Sequence, residues 1–293
     1  MNSGVAYRCT LPDTAFESAW DSIKMDQAIK DRLIAQAMLA LTVRRSVSFD
    51  VAPLHGLMVL AGPPGTGKTT LARGLATKVA AMLRPSKVNF LQIDPHGLAS
   101  ASLGKSQQQV GTLFNQTIPE AGMGGFAVVL LDEVETLAAD RKKMSLEANP
   151  VDVHRATDAV LASLDLLTQK HRNILLIATT NYPQAVDDAF LSRADLIEHI
   201  PPPNAEARAE IIRDTLEGLG RQWPAIAGLA RDMGLFVSAS NGMDGRRLRK
   251  AVVSALAGSL ATARDPNLLS SQQILAALKA AAQAGKEVGR EAA

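Results

Sequence analysis

The sequence predicts an α/β fold: a parallel five-stranded sheet flanked by helices, then a smaller all-helical region. Three observations carry that expectation. Short runs that are apolar on both faces alternate with stretches of helical period, the pattern of a parallel sheet covered on both sides. The strand pattern stops at Pro201-Pro202-Pro203. Alanine is abundant while aromatic residues make up only 4% of the chain, which favours helices over an aromatic β-sandwich.

The elements follow in order. The first ten residues carry little pattern. From Asp26 to about Leu41, Ile29, Leu33, Ile34, Met38 and Leu41 fall on one helical face. Leu57–Leu60 is a buried-strand run ending in a glycine-rich turn, and Leu71, Leu75, Val79 and Leu83 then mark a helix. Val88–Ile93 reads as a strand, and Lys105–Ile118 as a helix with Val110, Leu113 and Phe114 inward. Ala127–Leu131 and Ile174–Ala178 are further core strands, separated by a helix over His154–Lys170. Leu196–Ile200 supplies the fifth strand. Beyond the prolines, Asn204 is a good N-cap for a helix carrying Ile211, Ile212, Leu216 and Leu219. Helices over Asp244–Arg264 and Ser271–Ala284 complete the chain. Residues 1–50 are expected to form an N-terminal linker and helix, 51–203 the α/β domain, and 204–293 a small helical domain.

Composition excludes several classes. With 47% hydrophobic and 20% charged residues, the 293-residue chain can bury a core and is not wholesale disordered. A net charge of +2 does not demand nucleic acid. The single cysteine, Cys9, excludes an internal disulfide and a zinc cluster, and suits a reducing compartment. No charge-free apolar run reaches the ~18 residues of a membrane span, and the N-terminus lacks a signal-peptide core. A soluble, cytoplasmic protein with no membrane contact is the expectation.

The chemistry concentrates at strand ends. Gly62-Pro63-Pro64-Gly65-Thr66-Gly67-Lys68-Thr69, followed by Thr70, satisfies the P-loop pattern and sits between a strand and a helix. Its glycines allow backbone N–H groups and the helix N-terminus to wrap a phosphate. Lys68 would reach the β- and γ-phosphates, and Thr69 would hold Mg²⁺. Asp132 and Glu133 end the strand of Leu130-Leu131, where a parallel sheet presents its ligand groups. Asp132 suits the Mg²⁺ shell, and Glu133 suits the orientation and deprotonation of an attacking water. Asn181 closes the next strand, where its amide can hold that water or touch the γ-phosphate; an Asn-Tyr-Pro turn is the alternative. Arg193, just before the last strand, and Arg246, opening a helix, are arginines of the kind that stabilise charge on a transferring phosphate. A solvated or nucleic-acid-facing basic surface is the other reading of Arg246–Lys250. No Asn/Thr-Lys-x-Asp element supports guanine, and no His-Glu-x-x-His motif supports a zinc protease.

Taken in order, this set resembles the AAA+ ATPases. Leu11-Pro12 through Ala19-Trp20-Asp21-Ser22-Ile23 is similar to the linker of pachytene-checkpoint-type members, the remodellers of HORMA-domain proteins. So are Leu131-Asp132-Glu133-Val134-Glu135-Thr136-Leu137 with Arg141, Arg193-Ala194-Asp195, and Gly245-Arg246-Arg247-Leu248-Arg249-Lys250. The resemblance implies an ATP- and Mg²⁺-dependent hexameric ring that pulls a HORMA protein through a central pore and releases its bound partner. It implies that Asn181 is sensor 1, that Arg246 is sensor 2 on a helical lid, and that Arg193 reaches the ATP of a neighbouring subunit. Ser102 and Leu103 fall at the first pore loop, where the family usually has an aromatic residue, which leaves Leu103 as the contact. Residues 141–153 fall at the second, with a mobile solvated loop as an equal reading. Only about 20 residues precede the linker helix. The substrate-docking N-terminal domain of eukaryotic members is therefore expected to be missing, as in bacterial members encoded beside HORMA proteins and cyclic-nucleotide synthases in antiphage operons. An AAA+ motor or loader on nucleic acid is the alternative, with few stacking aromatics to support it. An ATP-gated switch that rarely hydrolyses is a third, against which Glu133 stands.

Overall fold

The computed structural model describes residues 4–95, 105–140 and 150–291. The chain divides into two compact units. The first comprises residues 1–21, 27–63 and 68–200; the second comprises 22–26, 64–67 and 201–293.

The first unit is built on a six-stranded sheet: β1 (Val5–Leu11), β2 (Leu57–Ala61), β3 (Val88–Ile93), β4 (Phe126–Leu131), β5 (Ile174–Thr180) and β6 (Leu196–His199). Their spatial order is β1-β3-β4-β5-β2-β6. β2 to β6 are parallel, and β4 and β5 are buried along their whole length. The expected count of five strands is corrected by β1, which pairs antiparallel with β3 at one edge. It escapes a hydropathy reading because most of its residues face solvent at the sheet's margin.

Helices α1 (Gln27–Leu41), α2 (Lys68–Met82), α3 (Lys105–Thr112) and α4 (Pro150–Lys170) pack on this sheet or continue from it. The inward side of α1 is made by Leu33, Ala37, Ala40 and Leu41, while Ile29, Ile34 and Met38 are only partly buried. Small alanines replace the larger residues that periodicity pointed to, which allows close approach. Leu71, Leu75 and Val79 of α2, and Val160, Leu164 and Leu167 of α4, are buried as expected. A π-helical turn over Leu113–Thr117 follows α3 and turns Leu113 and Phe114 into the core. The fully buried Arg44 donates to the carbonyls of His55, His171 (3.3 Å) and Ile174 (2.6 Å), so this cation is solvated by backbone oxygens. Gly56, at φ +71°, leaves the space that the guanidinium fills.

The second unit is helical. Its longer helices are α5 (Ala205–Gly220), α6 (Met233–Ala239), α7 (Gly245–Ser254) and α8 (Ser271–Glu291). Asn204 caps α5, its side chain accepting the Ala207 N–H at 2.8 Å. The expected long helix over Asp244–Arg264 ends at Ser254 and resumes at Leu260, because Ser259 is extended and starts a new N-cap. Ile211, Ile212, Leu216, Phe236, Leu248 and Ile274 form its core. Among the described residues, no helix is long and apolar enough to cross a membrane.

Candidate active site

The C-terminal ends of β2, β4 and β5 are adjacent in the sheet order β4-β5-β2, and the chemistry-bearing residues of the first unit gather there. Register does the assembly. Leu131 pairs with Ala178, so Asp132 leaves β4 level with Thr179, and Ala61 pairs with Thr180, so Gly62 leaves β2 level with Asn181. Gly62 sits at φ +152°, where an added Cβ would lie 2.3 Å from the Ile200 carbonyl oxygen, so glycine is required for the chain to turn.

Lys68 opens α2. Its Nζ donates to the carbonyls of Gly62 (2.7 Å) and Pro63 (3.0 Å) and to Asn181 Oδ1 (2.8 Å). The ammonium is thereby held at the mouth of the loop. Thr69, the next residue, donates its hydroxyl proton to Asp132 Oδ1 at 2.8 Å. Thr70 follows in the same first turn.

Asp132 is held from three sides. Oδ1 also accepts from the Thr179 hydroxyl at 2.6 Å, and Oδ2 accepts from Gln92 Nε2 at 3.4 Å. Gln92 is itself oriented by Arg73, whose Nε and Nη2 donate to its Oε1 at 3.2 and 2.6 Å. With the Thr69 proton committed to Asp132, the hydroxyl lone pairs stay available, and a hydroxyl beside a carboxylate is the hard oxygen set that Mg²⁺ favours. The donor set therefore fits the expected ion.

Glu133 is the one non-glycine residue with positive φ among the described residues, at φ 53° and ψ 55°. Its N–H donates to Thr179 Oγ1 at 3.1 Å, and its Oε1 accepts from Asn181 Nδ2 at 3.4 Å. A left-handed backbone costs an ordinary residue about 1–2 kcal/mol and persists where its surroundings enforce it. Here the turn after β4 and the Thr179 hydroxyl enforce it, which exposes the Glu133 side chain beside Asn181. The Asn181 N–H donates to Glu135 Oε1 at 3.1 Å, fixing the tip of β5.

Arg193 lies away from this group: it precedes β6, next to β2 in the sheet, and so falls toward the N-terminal ends of the parallel strands, opposite the ends where the group gathers. It makes a bidentate pair with Asp165 on α4, Nε to Oδ1 at 2.6 Å and Nη2 to Oδ2 at 2.8 Å. The Arg193 guanidinium holds the Asp165 carboxyl below its usual range, and Asp165 raises Arg193 in turn. The structure thus brings together Lys68, Thr69, Asp132, Glu133 and Asn181, and sets Arg193 apart from them.

In the second unit, Pro64, Gly65, Thr66 and Gly67 form the crest of the loop. Gly65, at φ +83°, packs where an added Cβ would lie 2.2 Å from Asp244 Oδ1. Asp244 caps α7 by accepting the N–H groups of Arg246 and Arg247 at 3.0 and 2.9 Å, so Arg246 sits in the first turn of that helix. Ser102, Leu103 and residues 141–149 lie outside the described residues.

Sequence reasoning missed Thr179, Gln92, Glu135 and Asp165 as supporting residues. Thr179 stood two residues before Asn181 in the same strand end, and the β4–β5 pairing would have placed it beside Asp132. Nothing in the sequence marks Asp165.

A parallel sheet in this order, with a P-loop after β2 and an Asp-Glu pair at the tip of β4, defines a P-loop ATPase of the AAA class. Residues 58–202 match the model of the family "ATPase family associated with various cellular activities (AAA)". The chain is 48% identical over 293 residues to CD-NTase-associated protein 6 of Pseudomonas aeruginosa, covering 99% of this chain and 96% of that one. It is also 34% identical over 214 residues to the pachytene checkpoint protein 2 homolog of Arabidopsis thaliana, covering 71% of this chain and 45% of that protein. The chain thus spans about half the length of its pachytene checkpoint relatives. Among solved structures, the structure of the E. coli MS115-1 HORMA:CdnC:Trip13 complex contains a similar fold, with TM-score 0.76, 20% identity, and coverage of 94% of this chain and 95% of that one. C. elegans PCH-2 is similar at TM-score 0.74 and 21% identity, with 98% and 78% covered. The chain belongs to the AAA ATPase family and, within it, to the family of CD-NTase-associated protein 6.

Proposed function

We propose that this ATPase is a protein remodeller that engages a HORMA-domain protein, partly unfolds it, and separates it from a cyclic-nucleotide synthase, which keeps an antiphage signal silent. The observation that carries this reading is the end-to-end likeness to CD-NTase-associated protein 6, at 48% identity. The similar fold in a complex named for HORMA, CdnC and Trip13 supports the same partners. The working form is a homo-oligomeric ring of six in the cytoplasm, with residues 204–293 as its lid, and ATP with Mg²⁺ is its fuel.

The residues take the following roles. The backbone of Gly62–Gly67 and the N-terminus of α2 cradle the phosphates, and Lys68 reaches the β- and γ-phosphates. Thr69 and Asp132 would hold Mg²⁺, which neutralises charge on the phosphate oxygens when bound. Water held between Asn181 and Glu133 attacks the γ-phosphorus while Glu133 takes its proton. The bond to the β–γ bridging oxygen breaks, and ADP and phosphate leave. Arg193 stabilises the developing charge on the ATP of a neighbouring subunit, and Arg246 reads the nucleotide from the lid. Ser102 and Leu103 contact the substrate in the pore.

Two cations of the basic run Arg246–Lys250 are engaged within the chain. Arg247 pairs with Asp244 at 3.4 Å, and Arg249 donates to the Ser22 carbonyl at 3.0 Å. The test is steady-state ATP hydrolysis with an added HORMA protein, with its synthase complex, or with single-stranded DNA, using Glu133→Gln as the blank. Stimulation by the HORMA protein and release of the synthase are expected. Stimulation by DNA alone would overturn the reading.

A further inference from the structure

We infer that Asp165 is the positioning residue of Arg193, gripping one edge of the guanidinium so that its remaining N–H donors are set for a phosphate. The inference rests on the reading that Arg193 serves the ATP of a neighbouring subunit.

The hydrogen-bond inventory carries it. A guanidinium has five N–H donors in a fixed plane. Asp165 takes the side edge, one proton from Nε and one from Nη2. The Ala189 carbonyl, four residues back, takes one from Nη1 at 2.6 Å. One proton remains on each terminal nitrogen, Nη1 and Nη2, and these are the donors left for phosphate oxygens. The side chain is therefore ordered before any phosphate arrives, and the ordering leaves two of its five donors unspent.

The surroundings support this use over a structural one. The two side chains are 23% and 36% exposed, and an ion pair that open to solvent adds little to stability. Each partner comes from a fixed element. Asp165 projects from α4 between the buried Leu164 and Leu167, and Arg193 follows the short helix Asp188–Leu191 capped by Asp187. His55 Nε2 is the other group near the carboxylate, 3.9 Å from Asp165 Oδ1. Burial lowers the pKa of this imidazole, which keeps it neutral near pH 7, so it does not compete with Arg193 for the charge.

The experiment compares Asp165→Asn, Asp165→Ala, Arg193→Ala and the double variant Asp165→Asn/Arg193→Ala. Readouts are kcat and KM for ATP, the affinity for a fluorescent ADP analogue, and the melting temperature. Asn is isosteric but sets an amide N–H₂ against Nη2, so it disturbs the grip without removing the side chain. We expect Asp165→Asn to lower kcat roughly tenfold to a hundredfold, the cost of misplacing a group by about an ångström. Nucleotide affinity and melting temperature stay near wild type, and the double variant is no slower than Arg193→Ala. Asp165→Asn at or above the wild-type rate overturns the inference, since the pair would then be incidental or a restraint. Losses that multiply in the double variant overturn it too, because Asp165 would be acting elsewhere. If Arg193→Ala itself hydrolyses normally, the reading of Arg193 is what has failed, and the inference falls with it.

Discussion

Thr179→Val tests the core of the site. The Thr179 side chain is 2% exposed and its hydroxyl does two things at once. It donates to Asp132 Oδ1 at 2.6 Å and accepts the Glu133 N–H at 3.1 Å. Valine keeps the shape and removes both bonds. A hydrogen bond to a carboxylate contributes about 1.5–3 kcal/mol, while the Glu133 N–H, on an exposed residue, can turn to water. A net loss of about 2 kcal/mol follows, which lowers the melting temperature by roughly 4–8 °C for a domain of this size. The catalytic effect is larger. The backbone bond to Thr179 is worth about as much as the 1–2 kcal/mol that a left-handed Glu133 costs, so its loss frees the residue to relax. A shift of about an ångström in the Glu133 carboxylate would slow hydrolysis on the order of 10²-fold. Steady-state ATPase and thermal unfolding are compared for Thr179→Val and Thr179→Ser, the latter keeping the hydroxyl. The serine variant should stay within a few-fold of wild type. A valine variant of normal rate and melting temperature would refute the reasoning, and so would a serine variant as slow as the valine one.

Two further predictions concern the frame. Gly56→Ala places a Cβ 2.0 Å from Arg44 Nη1 at φ +71°, combining the left-handed penalty with displacement of a buried cation. At about 3 kcal/mol or more, thermal unfolding should fall by roughly 6–12 °C; an unchanged melting temperature would mean the guanidinium relocates freely. Cys9, the single cysteine, has its thiol pushed up to about 11, first by burial and then by the Asp13 charge. Iodoacetamide at pH 8 should therefore modify it roughly a hundredfold more slowly in the folded chain than in urea, and equal rates would contradict the placement of β1.

The central strands β2, β4 and β5 were legible because each is a nearly unbroken apolar run, and only a sheet covered on both sides calls for such runs. β1 was not, since an edge strand needs no such run and its pairing with β3 joins residues about eighty positions apart. The site divides the same way. Asp132, Glu133 and Asn181 could be named because motif order along the chain marks strand tips. Thr179 and Gln92 acquire their roles from register: Leu131 opposite Ala178 brings Thr179 to Asp132, and Leu130 opposite Gln92 brings the amide to its other oxygen. Asp165 depends on which side of α4 meets the turn before β6, and helical period identifies the buried side only.

The hydrogen bonds also imply a sequence of exchange at the site. Asn181 is shared, its Oδ1 accepting from Lys68 while its Nδ2 donates to Glu133. Lys68 donates to three neutral acceptors here, two of them P-loop carbonyls. A phosphate at Lys68 would compete with these acceptors, and the Asn181 amide is a side chain, able to move where the P-loop carbonyls are held by the turn at Gly62. Releasing Oδ1 lets the amide rotate, and with it the Nδ2 contact that holds Glu133. Lys68 at the phosphate loop and the Glu133 carboxylate are thus both in contact with one asparagine, so a displacement of the Lys68 contact would be felt at Glu133.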